Sequence, residues 1–164
     1  MAASYTSTIT SIRYLIGDSS IPQDLSDTII EDVIDRHSVQ VFQLEIMPAH
    51  SSKKVYRASS GNWIEATIYD SDDTEVSPST SNLIRGYWKF TEEQSRLYVD
   101  GLTCNIYASA AECITILIAV LRKEYSFSTG DGNFQRNERI ETLKEMHNHY
   151  SAKAVEYSIK GDDF

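Results

Sequence analysis

The sequence predicts an α+β chain: mainly a helical bundle of about four helices, with an antiparallel β-sheet or hairpin region inserted between an N-terminal and a C-terminal helix pair. Three observations carry that expectation. The last third reads as an apolar helix, a glycine turn and a long amphipathic helix, and residues 1–47 show apolar spacings of three and four. From Lys53 to Tyr107 the pattern changes to aromatic and β-branched residues.

The first helix is expected over Thr8 to Ile16, with Ile9, Ile12, Leu15 and Ile16 on one side and Gly17-Asp18 as its stop. Pro22 marks a turn. A second helix starts with Ser26 as N-cap and Asp27 in the first turn, where a negative charge suits the helix dipole. Its stripe is Ile30, Ile34, His37, Val41 and Leu44, and Pro48 ends it.

Strands are expected at Val55 to Arg57, Trp63 to Tyr69, Tyr87 to Phe90, Arg96 to Val99 and Leu102 to Tyr107. Asp100-Gly101 between the last two is a type I′ hairpin signal. Asp70 to Asn82 is polar and aperiodic, so it reads as a long exposed loop or a mobile β-arm tip.

The apolar helix opens with Ser109-Ala-Ala-Glu112, the spacing of a capping box. Only Thr115 is polar between Cys113 and Leu121, which predicts a helix without a water-facing side. Thr129-Gly-Asp-Gly132 breaks it. The last helix carries Ile140, Leu143, His147, Tyr150, Ala154 and Tyr157 along one stripe, and Lys160-Gly-Asp-Asp-Phe164 reads as a tail that orders on binding. The expected organisation is one domain: N-terminal helices over 1–47, an inserted β-region over 53–107, a C-terminal helix pair over 108–159 and a tail over 160–164.

With 164 residues the chain has room for one self-sufficient core. Its net charge of −9 disfavours a tight, sequence-reading nucleic-acid binder, yet suits a wall past which DNA slides. Cys104 and Cys113 are too few for a disulfide scaffold and fit a reducing cytosol. The first ten residues lack a secretory pattern and no apolar run reaches a membrane span, so a soluble intracellular product is expected.

No residue pattern points to catalysis, a cofactor or a metal. His147 and His149 are two apart, so on a helix they face different sides and do not chelate one ion. His37 lies on an apolar stripe, where a satisfied core or interface histidine is the better reading than a catalytic base. Gly130-Asp-Gly132 lacks the Lys-Ser/Thr pair of a phosphate loop and reads as a helix–helix turn. Asp70 to Glu75 lacks the ligand order and glycine of a calcium loop and reads as solvated. A hydrolase would need a nucleophile elbow, an H-E-x-x-H or a Cys–His context, and none is present.

Arg136 and Arg139 stand near the start of the last helix, where they oppose its dipole; a salt bridge to Glu138, Glu141 or an acidic neighbouring subunit would answer that. Trp63 and Trp88 fall in strands and read either as sheet core or as anchors between subunits.

The apolar helix after a hairpin, then Tyr125-Ser-Phe-Ser-Thr-Gly-Asp-Gly-Asn-Phe134, Arg136 and a long final helix, resembles the head–tail connector (adaptor) proteins of tailed bacteriophages. The resemblance covers about two thirds of the chain, strongest from Leu102 to Ala154, and rests on a pattern of elements; the strand-rich insertion is larger than in the family's small members. It implies a non-enzymatic homo-oligomeric ring of about twelve subunits under the portal, in the virion neck between capsid and tail, assembled from subunits made in the host cytoplasm. Its partners would be the portal protein and a downstream neck or tail protein, with DNA passing through the channel without specific binding and no membrane contact.

On that resemblance, Phe134, Arg136, Arg139, Tyr150, Tyr157 and Phe164 belong to a portal or subunit interface, and Trp63 and Trp88 to a lateral or tail-side interface. The rival readings are a tail-terminator or stopper protein of the same neck and a cytosolic non-enzymatic binding module. Terminators and stoppers are usually dominated by β-barrel structure.

Overall fold

The computed structural model describes residues 5–18, 24–125 and 132–161, the side chains at 124–125, 132–136 and 157–161 excepted. In chain order these form α1 (Thr6–Ile16), α2 (Asp27–Arg36), β1 (Ser38–Pro48), β2 (Val55–Arg57), β3 (Trp63–Asp70), β4 (Thr80–Asn82), a 3₁₀ turn (Leu83–Arg85), β5 (Tyr87–Lys89), β6 (Leu97–Cys104), α3 (Ile106–Tyr125) and α4 (Gly132–Gly161). The chain divides into a helical unit, Ile9–His37 with Asn105–Phe164, and a sheet unit, Ser38–Cys104 with the first residues of α1.

The fold is α+β but not mainly a helical bundle. The sheet unit is a curled, antiparallel half-barrel of six strands in the order β3-β6-β1-β2-β5-β4. The correction turns on Ser38–Pro48, which continues as an 11-residue strand where a helix was expected. Its pairing with β6 steps from Val41↔Gly101 to Leu44↔Val99, so Phe42 and Gln43 both stand opposite Asp100. This is a β-bulge, and it brings Val41 and Leu44 to the same core at a spacing of three. A three-residue step in an apolar stripe imitates a helix; here it is a strand with one residue inserted.

Asp100-Gly101 is the second correction. β6 runs straight through it, and Gly101 lacks the positive φ that a type I′ turn requires. Asp100 instead accepts the Gln43 N–H at 2.6 Å, holding the bulge, with Gln43 itself at φ +49°. A Cβ on Gly101 would lie 2.2 Å from the Glu65 carbonyl oxygen and 2.9 Å from Ala66 Cα. The glycine therefore lets β3 approach β6 closely beside a register shift at Trp63/Glu65.

Inside the curl, Ile46, Tyr56, Trp63, Ile68, Trp88, Phe90, Leu97 and Val99 form one buried cluster. Trp63 and Trp88 meet edge to face at 5.9 Å, and the Trp63 indole N–H donates to the Ser60 carbonyl at 3.0 Å. The polar segment after β3 is exposed but tied down. Asp70 Oδ1 accepts N–H bonds from Asp72 and Thr74, Val76 N–H donates to Ile68 O at 2.8 Å, and β4 follows.

In the helical unit, Ile9, Ile12 and Ile16 of α1, Ile30, Val33 and Ile34 of α2, Cys113, Ile114 and Leu117 of α3, and Ile140 and Leu143 of α4 are buried. Ser26 caps α2, accepting the Ile29 N–H at 3.4 Å. The start of α3 departs from the capping-box expectation. Asn105 caps it, accepting the Ala108 N–H on its side chain at 3.1 Å and the Ser109 N–H on its carbonyl at 3.0 Å. Ser109 is fully buried within the helix, and Glu112 is released for another role. α3 also has a narrow exposed edge, Thr115, Ala119 and Arg122, where none was expected.

Arg13 is the polar centre of this unit. Its guanidinium donates to Asp18 at 2.7 Å, to Asp27 at 2.6 Å and to the Leu25 carbonyl at 2.8 Å. Asp18 accepts the N–H groups of Asp24 and Leu25 as well, so a residue read as a helix stop ties the end of α1 to the residues just ahead of α2.

Candidate interaction surface

Tyr150 stands in the middle of α4 on the stripe read from its spacing, and three contacts hold it. Its hydroxyl donates to the Leu15 carbonyl in the last turn of α1 at 3.0 Å. Its ring stacks on Tyr107 at the start of α3, with centroids 6.1 Å apart. Lys153 lies 5.3 Å above the Tyr107 ring, and the His149 ring meets Tyr150 edge-on. Burial, followed by the neighbouring phenols of Tyr107 and Tyr14, pushes the Tyr150 hydroxyl above its ordinary range, so it remains a neutral donor. One turn further on, the Ala154 carbonyl accepts from the Asn105 side chain at 3.2 Å, fastening α4 to the cap of α3.

The exposed member of this tyrosine group is Tyr14, at 80 %. Sequence reasoning missed it, because on α1 it simply falls outside the apolar stripe. Tyrosine, with an apolar ring and a polar tip, is among the residue types enriched at protein interfaces. Val155 on α4 is also exposed.

Arg139 pairs with Asp24, not with Glu138 or Glu141. The Phe134, Arg136 and Tyr157 side chains and Phe164 lie outside the described residues, as does the glycine turn before α4. Trp63 and Trp88, expected at a lateral or tail-side interface, are 0 % and 1 % exposed and sit in the sheet core, so neither presents a surface to a neighbour.

His37 caps the C-terminus of α2, with Nε2 2.7 Å from Glu112 Oε2. Arg36 reaches the other Glu112 oxygen at 2.6 Å. Burial works to raise the Glu112 carboxyl, but the hydrogen bonds from Arg36 and His37 outweigh it and hold the group below its ordinary value of 4.5. A depressed carboxylate stabilises the fold fully above its unfolded value and loses that contribution as pH falls through the folded one. Urea titrations are therefore expected to show a stability decline below about pH 4.5 that Glu112→Gln makes shallower, leaving the slope above pH 6 unchanged. The pair is a third to a half exposed, so the difference is small.

Among the described residues no group of three or more His, Cys, Asp or Glu side chains is placed to hold a metal ion, and no helix is long and apolar enough to cross a membrane. The sheet unit has a cleft of about 520 Å³ near β3 and β4, whose carboxylates Glu65, Glu75 and Asp100 have no histidine or cysteine beside them. The helical unit has a groove of about 420 Å³ between α3 and α4, with Arg122 and Lys144 on its walls. The chain matches no protein-family model, no curated protein and no solved structure.

Proposed function

We propose that this chain is a head–tail connector (adaptor) subunit: a ring of identical copies, about twelve under a portal of the usual symmetry, that extends the DNA channel of a tailed-phage neck and docks the next neck or tail component. The observation that carries this reading is the order of the chain. Two short helices, an inserted sheet, an apolar helix and a long amphipathic helix follow one another, and the helical parts before and after the sheet form one unit. The net charge of −9 suits a wall that lets DNA pass without holding it. The half-buried tyrosines of α3 and α4, with exposed Tyr14 beside them, suit a protein that works by contact.

A second reading, a stopper or tail-terminator of the same neck, gains from the curled six-stranded sheet. Co-sedimentation of the tagged chain with DNA-filled heads, followed by counting copies per particle, tests both. A fixed count equal to the portal's symmetry is the expected result, and absence from particles overturns the neck assignment in favour of a cytosolic binding module. Direct capture by purified portal rings separates the connector from a stopper or terminator, which would need an intervening component.

A further inference from the structure

The groove between α3 and α4 has a small, partly apolar floor and a basic rim. Thr115, Ile118, Ala119 and Arg122 line it from α3, Lys144 and His147 from α4. Thr115 and Ala119 are exposed, and the Thr115 hydroxyl donates to its own helix at Ala111 O, which leaves room for another helix to approach closely. Arg122 is exposed, and among the described residues no carboxylate forms an ion pair with it. Lys144 shares its charge with Glu141 one turn back.

The outer face of α2 has the opposite character. Ile30, Val33 and Ile34 point into the core, while Thr28, Ile29, Asp32 and Asp35 face outwards, with Ile29 37 % exposed; the exposed Arg36 beside them is engaged by Glu112. Ile29 to Asp35 spans about 9 Å of helix, and Thr115 to Arg122 about 10 Å. An exposed isoleucine followed one and two turns on by aspartates thus matches, in length, polarity and charge, a groove with an apolar floor and a basic rim.

We infer that the α3–α4 groove of one copy receives the outer face of α2 from a second copy, with Ile29 against Ile118 and Ala119 and with Asp32 and Asp35 toward Arg122 and Lys144. This inference rests on the ring reading above and names its subunit contact. The two surfaces differ and both belong to the helical unit. The contact is therefore heterologous, and each copy offers one donor and one acceptor face, the arrangement that a closed ring requires. In a chain of net charge −9, placing an acidic helix on a groove rimmed by Arg122 and Lys144 also offsets repulsion between copies.

The test uses the full chain carrying Ile29→Cys and Ala119→Cys, treated with a short bis-maleimide both in concentrated solution and on DNA-filled heads. The native Cys104 and Cys113 are buried and serve as an internal blank. A ladder of covalent multimers from the double variant, with dimers at most from either single variant, is expected. Separately, Arg122→Glu or Asp32→Lys weakens self-association at least about tenfold, and the two together restore it, with far-UV circular dichroism unchanged throughout. A full complement of copies on heads with no ladder, or one indifferent to both charge reversals, overturns this contact and leaves the connector reading standing. Absence from heads together with a monomer in solution overturns both.

Discussion

Replacing Arg13 with alanine is expected to lower the free energy of unfolding by about 3–5 kcal/mol, read from the midpoint of urea denaturation. The side chain is 7 % exposed and satisfies Asp18, Asp27 and the Leu25 carbonyl together. Removing it leaves the Asp18 carboxylate, 3 % exposed, with two backbone N–H donors and no counter-charge. An ionised carboxylate stranded in that way accounts for most of the loss. Arg13→Met combined with Asp18→Asn should therefore lose less than the sum of the single variants, because it removes the charge as well as its partner. Additive losses would mean that the two side chains stabilise the fold independently.

Trp88→Ala is the second large effect, again about 3–5 kcal/mol. The indole is 1 % exposed and closes the sheet core against Trp63, edge to face at an interplanar angle of 74°. Deleting it opens a cavity that the curled sheet fills poorly, because Tyr56 and Phe90 are already engaged with each other at 5.9 Å. The readout distinguishes core from contact. A buried role lowers the thermal midpoint of the isolated chain, whereas a contact role would leave that midpoint intact and reduce only the copies bound to heads. Trp88→Phe, which keeps most of the volume, should lose much less.

Much of the sheet was legible from residue type: Val55–Arg57, Trp63–Asp70 and Tyr87–Lys89 stand where β-branched and aromatic residues cluster. The α4 stripe was legible for the matching reason, since Ile140, Leu143 and Tyr150 follow helical spacing and point inwards. What misled was local geometry that depends on a distant partner. Val41 and Leu44 are three apart because a bulge inserts a residue, and the bulge exists because Asp100, far along the chain, accepts the Gln43 N–H. Asp-Gly in β6 looks like a turn because the pair's real tasks, holding that bulge and admitting β3, are visible only once the strands are side by side.

The tyrosine group was only partly readable. Tyr150 announced itself through periodicity. The exposure of Tyr14 depends on what the neighbouring helices leave uncovered, and the burial of Trp63 and Trp88 on how tightly the sheet curls. Arg13 carried no local signal at all, because its partners lie five to fourteen residues away across a turn.

The chain leaves the helical unit after His37 and returns at Asn105, and these two crossings are neighbours: Ser38 pairs with Cys104, and the Asn105 N–H donates to the His37 carbonyl at 3.0 Å. A segment whose two ends meet can be exchanged like a cassette, because a short link across the same gap would join α2 to α3 without moving either. The sheet is thus an insertion that could be lengthened, trimmed or replaced while the helices on either side of it keep their own packing.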